Sequence, residues 1–181
     1  MPYAYYDKLS ARDKATYRES DRIVRVPLEA PEAMWPLVEQ IQAALEQANR
    51  SDVQAYGQRL VTTMVTDLGV PPARVKVLAA RPSHDWGEVQ GLYEPEEDDV
   101  AVITVWMRTA ARKRVVAFKT FLRTVLHEMC HHLDYELYGL EESFHTEGFF
   151  KRESSLFHQI TGRVAQSTDT RADQLPWFVT D

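Results

Sequence analysis

A single cysteine, Cys130, leaves this chain of 181 residues without any possible intrachain disulfide, and a reducing compartment is the simpler setting for it. Basic residues do not predominate either: 21 Lys and Arg stand against 27 Asp and Glu, a net charge of -6. Attraction of the whole protein to nucleic acid or an anionic membrane is therefore not expected. No run of about twenty apolar residues is present, so no membrane span is expected. The opening MPYAYYDKLSARDK is polar and has no apolar core of signal-peptide length. Together these absences predict a cytoplasmic protein. Internal repeats and low-complexity tracts are also lacking, and the length suits one domain with its own core.

The apolar pattern divides the chain. Residues 1–28 are charged and tyrosine-rich, and read as an N-terminal arm or a short strand around Ile23 to Val26. From Ala30 onward, Met34, Leu37, Val38, Ile41, Ala44, Leu45 and Ala48 recur at helical spacing, with Pro31 in the first turn. A second helix is expected after Ser51 as its cap, closed by Gly69 and the prolines at 71 and 72. Arg74 to Ala80 reads as a strand. GEVQGLY and DVAVITVWM read as a β-hairpin spanning Gly87 to Met107, turned by EPEEDD. The second hairpin strand is apolar on both faces, so it is either buried on both sides or lines a groove.

A long helix should begin between Thr109 and Val115. Its stripe is Val115, Val116, Phe118, Phe121, Leu122, Val125, Leu126 and Met129, and Gly139 ends it. A shorter helix follows from about Thr146 to Ile160. The basic residues Arg108, Arg112, Lys113, Arg114, Lys119 and Arg123 read as a solvated helix face. Residues 163–181 read as a polar C-terminal tail.

The long helix carries VLHEMCHHLDY, and within it His127, Glu128 and His131 spell H-E-x-x-H. Positions i and i+4 share one helix face, so both imidazoles can converge on one ion. Glu128 lies about 100° round the helix from His127, beside such an ion rather than on it. There it can accept a proton from activated water and return it to a leaving amine. Zn2+ suits imidazole ligands and hydrolytic chemistry. A third ligand is required, with one position left for water. His145 is the preferred candidate, because it sits where the chain turns back into the shorter helix. Glu142, Glu147 and Glu153 remain alternatives. His132 points away from His131 and reads as a surface or second-face histidine. Asp134 is placed to hydrogen-bond a ligand imidazole or to be solvated. Cys130 reads as a small buried residue behind the site, and His84 and His158 as ordinary histidines. Tyr135, Tyr138 and His132 are near enough in sequence to stabilise an oxyanion, with nothing to choose among them. DVAVITVWM is a candidate edge strand for pairing with a substrate, or is purely structural.

The segment HEMCHHLDYELYGLEESFHTEGFFKR resembles the core of SprT-like metallopeptidases, through His127, Glu128, His131, Tyr135, Gly139, His145 and Phe149. The resemblance covers about thirty residues; Thr146 stands where that family usually has glycine. It implies a zincin-like α+β domain over residues 29–162: N-terminal helices, a small sheet with a β-hairpin, the long motif helix and a short helix. It also implies His127, His131 and His145 as zinc ligands, Glu128 as general base, and a peptide or protein substrate. A single cysteine cannot build the additional metal cluster that some relatives carry. The function expected is zinc-dependent peptide hydrolysis; the alternative is a zinc-stabilised scaffold that binds protein without cleaving it.

Overall fold

The polypeptide, described by a computed structural model over residues 5–81, 90–95, 100–110 and 112–162, is α+β. Its helices are α1 (Ala11–Arg22), α2 (Trp35–Glu46), α3 (Arg50–Leu68), α4 (Phe118–Glu136) and α5 (Glu147–Ile160). Its strands are β1 (Ala73–Ala80), β2 (Gly91–Glu94) and β3 (Ala101–Arg108). No helix among the described residues is long and apolar enough to cross a membrane.

The strands lie in the order β1-β3-β2, with β1 parallel and β2 antiparallel to β3. The hairpin pairing is as expected, although residues 87–89 and the turn at 96–99 lie outside the described residues. The position of its second strand is not that of an edge. DVAVITVWM supplies the central strand β3, paired along both edges, and residues 102–107 are buried on both faces of the sheet. The register sets the inner face: Val75 lies opposite Ile103 and Ile103 opposite Tyr93, while Val77 pairs with Val105 and Val105 with Gly91. Tyr93 and Gly91 thereby share the core-facing side, against which α3 and α4 pack.

The outer edge of β1 is closed by a helix. Arg50, Gln54 and Gln58, four residues apart on one face of α3, reach the β1 backbone as a neighbouring strand would. The Gln58 amide accepts from Val75 N at 2.8 Å and donates to Ala73 O at 3.0 Å. Gln54 accepts from Val77 N at 2.6 Å and donates to Val75 O. Arg50 completes the row by donating to Val77 O at 3.0 Å. A sheet edge left with bare amides invites pairing with another chain, and this row of side chains prevents it.

Several local expectations change. Asn49, not Ser51, caps α3, its side chain accepting from Asp52 N. The helix α4 starts at Phe118 because Val115 and Val116 are used elsewhere: Val115 bridges Arg108, and Val116 N donates to Met107 O at 2.8 Å. The basic residues are accordingly not one helix face. Arg108 ends β3, Lys113 and Arg114 lie in the connection, and only Lys119 and Arg123 are on α4. Finally, the expected arm at 1–28 contains the helix α1 rather than a strand, and Val26 and Leu28 belong to the core.

Replacing Gln58 with Ala removes two hydrogen bonds to β1 and is expected to cost about 1–3 kcal/mol in urea unfolding. The double variant Gln54→Ala/Gln58→Ala should in addition self-associate on concentration, detectable by light scattering, because the β1 edge is then exposed.

Candidate metal centre

The motif helix is buried on more than one face, with Thr124, His127, Glu128, His132 and Asp134 buried beside its apolar residues. Its apolar residues Phe121, Leu122, Val125, Leu126, Met129 and Leu133 are in the core, and Cys130 is fully buried there, as a packing residue. The helix ends where Gly139 takes φ +62°, a left-handed conformation that glycine adopts freely, and Leu140 N returns to Asp134 O at 2.8 Å. The reversal carries the chain back past α4 to α5. Thr146 caps α5 by accepting from Phe149 N at 3.0 Å.

This path brings His127, His131 and His145 together, with one potential ligand nitrogen from each within 4.8 Å of the others. The Nε2 atom of His145 is 3.0 Å from that of His127 and 3.1 Å from that of His131. The ring of Phe149 forms the floor, with centroids 4.9, 4.8 and 5.1 Å from those of His127, His131 and His145. Phe149, fully buried, is thus the aromatic of the motif and the hydrophobic support of all three imidazoles.

The other ring nitrogens identify the tautomers. His127 Nδ1 faces Glu153 Oε2 at 3.3 Å, and a carboxylate can only accept, so Nδ1 carries the proton. Ser143 Oγ donates to Asp134 Oδ2 at 2.8 Å, so its oxygen accepts from His131 Nδ1 at 2.7 Å. Both histidines therefore present an Nε2 lone pair to the centre. One proton on His145 Nε2 cannot serve both neighbours well, whereas a cation can. Nitrogens bound to one tetrahedral zinc at 2.0–2.1 Å lie about 3.3 Å apart, close to the separations here. The donor set fits Zn2+. Burial, reinforced by the neighbouring imidazoles, holds His131 well below its usual pKa. Burial first and His127 second bring His145 down to about 3, so the rings are available as neutral ligands.

Glu128, beside His127, is almost fully buried, and burial raises its pKa to about 7, with Glu153 adding to the rise and His127 opposing it. Its carboxylate lies against β2 at Gly91. A Cβ on Gly91 would sit 2.3 Å from Glu128 Oε1, so only glycine lets the strand approach the carboxylate this closely.

The remaining candidates fall into distinct roles. Glu153 is not part of the imidazole triangle; it accepts from His127 and, at 3.0 Å, from Arg123. Glu142 is exposed, and Glu147 pairs with Lys151 on the surface. Asp134 reaches His131 through Ser143 rather than directly, and it also pairs with the buried Arg152 at 2.7 Å. His132 does lie on the second face of α4 but is buried, donating to Pro71 O at 2.9 Å and accepting from Tyr93 Oη at 3.2 Å. Its ring is committed to tying β2 to the helix. Tyr138 donates to Arg25 O at 3.3 Å. Tyr93 stacks near His131, with centroids 6.4 Å apart, and near Tyr135 at 6.0 Å. His158 packs edge-on to Phe157, and His84 lies outside the described residues. Sequence reasoning did not find Ser143, Tyr93, Gly91 or Arg152. Only Gly91 carries a local signal, a glycine inside a strand pattern.

No protein-family model matches the chain, and no curated protein or solved structure matches it significantly. The likeness to SprT-like peptidases thus rests on the motif residues quoted above.

Ser143→Ala removes the acceptor that orients His131. Zinc affinity measured by chelator competition should fall roughly 10–100-fold, with little change in the far-ultraviolet circular dichroism.

Proposed function

We propose that the protein is a zinc-dependent metallopeptidase on a zincin-like scaffold, with His127, His131 and His145 as zinc ligands and Glu128 as general base. The observation that carries this reading is the convergence of the three imidazole nitrogens, with the buried Glu128 carboxylate next to His127 on the same helix. Zinc held by His127, His131 and His145 would supply a Lewis acid to activate water and polarise a carbonyl. Glu128 takes the proton of the attacking water as its oxygen adds to the peptide carbonyl carbon. It then delivers that proton to the amine nitrogen as the C–N bond breaks. A carboxyl with a pKa near 7 suits both halves of that exchange.

Substrate binding is assigned to β2 in place of β3, which is central. The strand β2 occupies the edge opposite the glutamine-closed β1, and its Gly91 and Tyr93 face Glu128 and the His131 ring. An extended peptide added along β2 would run past both groups, its backbone held by strand pairing. Gly91 keeps the edge and the base in contact, and His132 holds Tyr93 through its hydroxyl.

Elemental analysis should find one zinc per wild-type chain and sharply less in His145→Ala. Zinc retained by that variant would remove His145 from the ligand set. Glu128→Gln should keep the zinc while losing about 10²–10⁴-fold in hydrolysis of labelled casein. Casein hydrolysis that survives Glu128→Gln unchanged would sink the peptidase reading. Equal inactivity of wild type and variant, with zinc bound, would favour a zinc-stabilised protein-binding module.

Gly91→Ala tests the contact between β2 and the base. The added methyl displaces Glu128, so hydrolysis should drop about 10²-fold while zinc content stays at the wild-type level.

A further inference from the structure

The third ligand lies on a segment with no regular structure, between the end of α4 and the start of α5. A metal centre needs its ligands held to within about half an ångström, yet residues 137–146 contribute no ladder of their own. What holds them is the N-terminal region. Arg12 pairs with Glu141, an exposed contact of small energetic weight. The rings of Tyr5 and Tyr17 pack against Phe144, with centroids 6.5 and 6.0 Å away, and Tyr5 Oη donates to His145 O at 3.4 Å. Ser20 Oγ and Thr146 Oγ1 are 3.3 Å apart.

At the start of α5 the approach is closest. Asp21 Oδ1 accepts from Gly148 N at 2.9 Å, capping α5 from another helix and placing a carboxylate at its positive end. A Cβ on Gly148 would sit 2.5 Å from the carbonyl oxygens of both Ser20 and Asp21. Glycine is what allows α1 to dock there.

Arg152 makes the docking energetic rather than incidental. Its guanidinium is fully buried, and it donates to Ser20 O at 2.7 Å and Ile23 O at 2.6 Å, carbonyls at the C-terminal end of α1. It also donates to Ser20 Oγ at 3.1 Å and to Asp134 Oδ1 at 2.7 Å. Were α1 to leave, the buried cation would keep only Asp134 among these acceptors, which is strongly unfavourable. Asp134 in turn holds Ser143, and Ser143 holds His131. One guanidinium thus joins the end of α1 to the hydrogen-bond chain behind a ligand, while Asp21 and Ser20 hold the segment that bears another.

We propose that α1 is a strap that positions the metal centre, with Asp21, Gly148 and Arg152 as its positioning residues. The bound metal rests on the metallopeptidase reading, whereas the docking of α1 on the segment 141–148 does not. The test compares full-length wild type with Asp21→Ala, Asp21→Asn and Gly148→Ala, and uses Gln58→Ala as a control that lowers stability far from the strap. Two quantities are measured: zinc affinity by chelator competition, and amide hydrogen exchange over residues 141–148 in metal-free protein. Asp21→Ala and Gly148→Ala should each weaken zinc binding at least tenfold and speed exchange in that segment, while Gln58→Ala does neither. Asp21→Asn, which keeps the Oδ1 acceptor, should restore most of both. Asp21 is exposed, so its variants keep the test open even if Gly148→Ala fails to fold. Affinity and exchange within twofold of wild type in Asp21→Ala, or losses matched by Gln58→Ala, would overturn the strap. If wild type itself takes up no zinc, the peptidase reading falls on its own. Exchange at 141–148 then decides the strap, accelerated in Asp21→Ala if it is correct and unchanged if it is not.

Discussion

Two imidazole lone pairs directed at a common point, with a third ring nitrogen 3.0 and 3.1 Å away from them, are a costly arrangement for a buried site without a cation. The fold maintains it from behind. Glu153 and the Ser143–Asp134 pair fix the Nδ1 protons of His127 and His131, which commits both Nε2 atoms to face inward. Phe149 supports the three rings from below, and burial keeps His131 and His145 neutral. The rest of the architecture can be understood as what is needed to keep these rings in place: a rigid helix for two of them, a reversal at Gly139 for the third, and a sheet edge brought against the adjacent carboxylate.

The motif was legible because its information is local. H-E-x-x-H on a strongly periodic helix places two imidazoles on one face by geometry alone, and a histidine at the following helix start has few other directions to point. The helices α2 and α4 were legible for the same reason, through apolar stripes whose residues from Met34 to Leu45 and from Phe121 to Met129 are in the core. Tertiary pairing overrode local pattern at Val115 and Val116, whose helical spacing with Phe118 is real but whose backbone is used to extend the end of β3. The position of β3 could not be read either. An apolar strand is equally consistent with a groove or with the middle of a sheet, and only the β1-β3 pairing, across the intervening chain, decides between them.

Polar residues account for most of what sequence alone did not reveal. Helix α1 buries only Thr16, Tyr17 and Ser20, too few apolar positions to leave a stripe. Gln54 and Gln58 look like ordinary surface glutamines, although they act as a substitute strand. Arg152 looks like a solvated charge on an amphipathic helix and is fully buried. In Gln54, Gln58 and Arg152 the side chain satisfies backbone groups that belong to a segment distant in sequence, and hydrophobic periodicity carries no trace of such a partner.

These polar links also explain how an irregular loop can serve as one side of the three-histidine cluster. Hydrophobic packing alone would leave residues 141–146 free to shift, since Phe144 is the main apolar contact they offer to α1. Directional bonds from Ser20, Asp21 and Arg152 remove that freedom, and the close approach at Gly148 leaves no room for a different docking angle. The division of labour follows from the physics of each interaction. Non-directional burial assembles the helices on the sheet, and hydrogen bonds whose loss would strand a buried guanidinium or carboxylate fix the orientation of the parts that face the site.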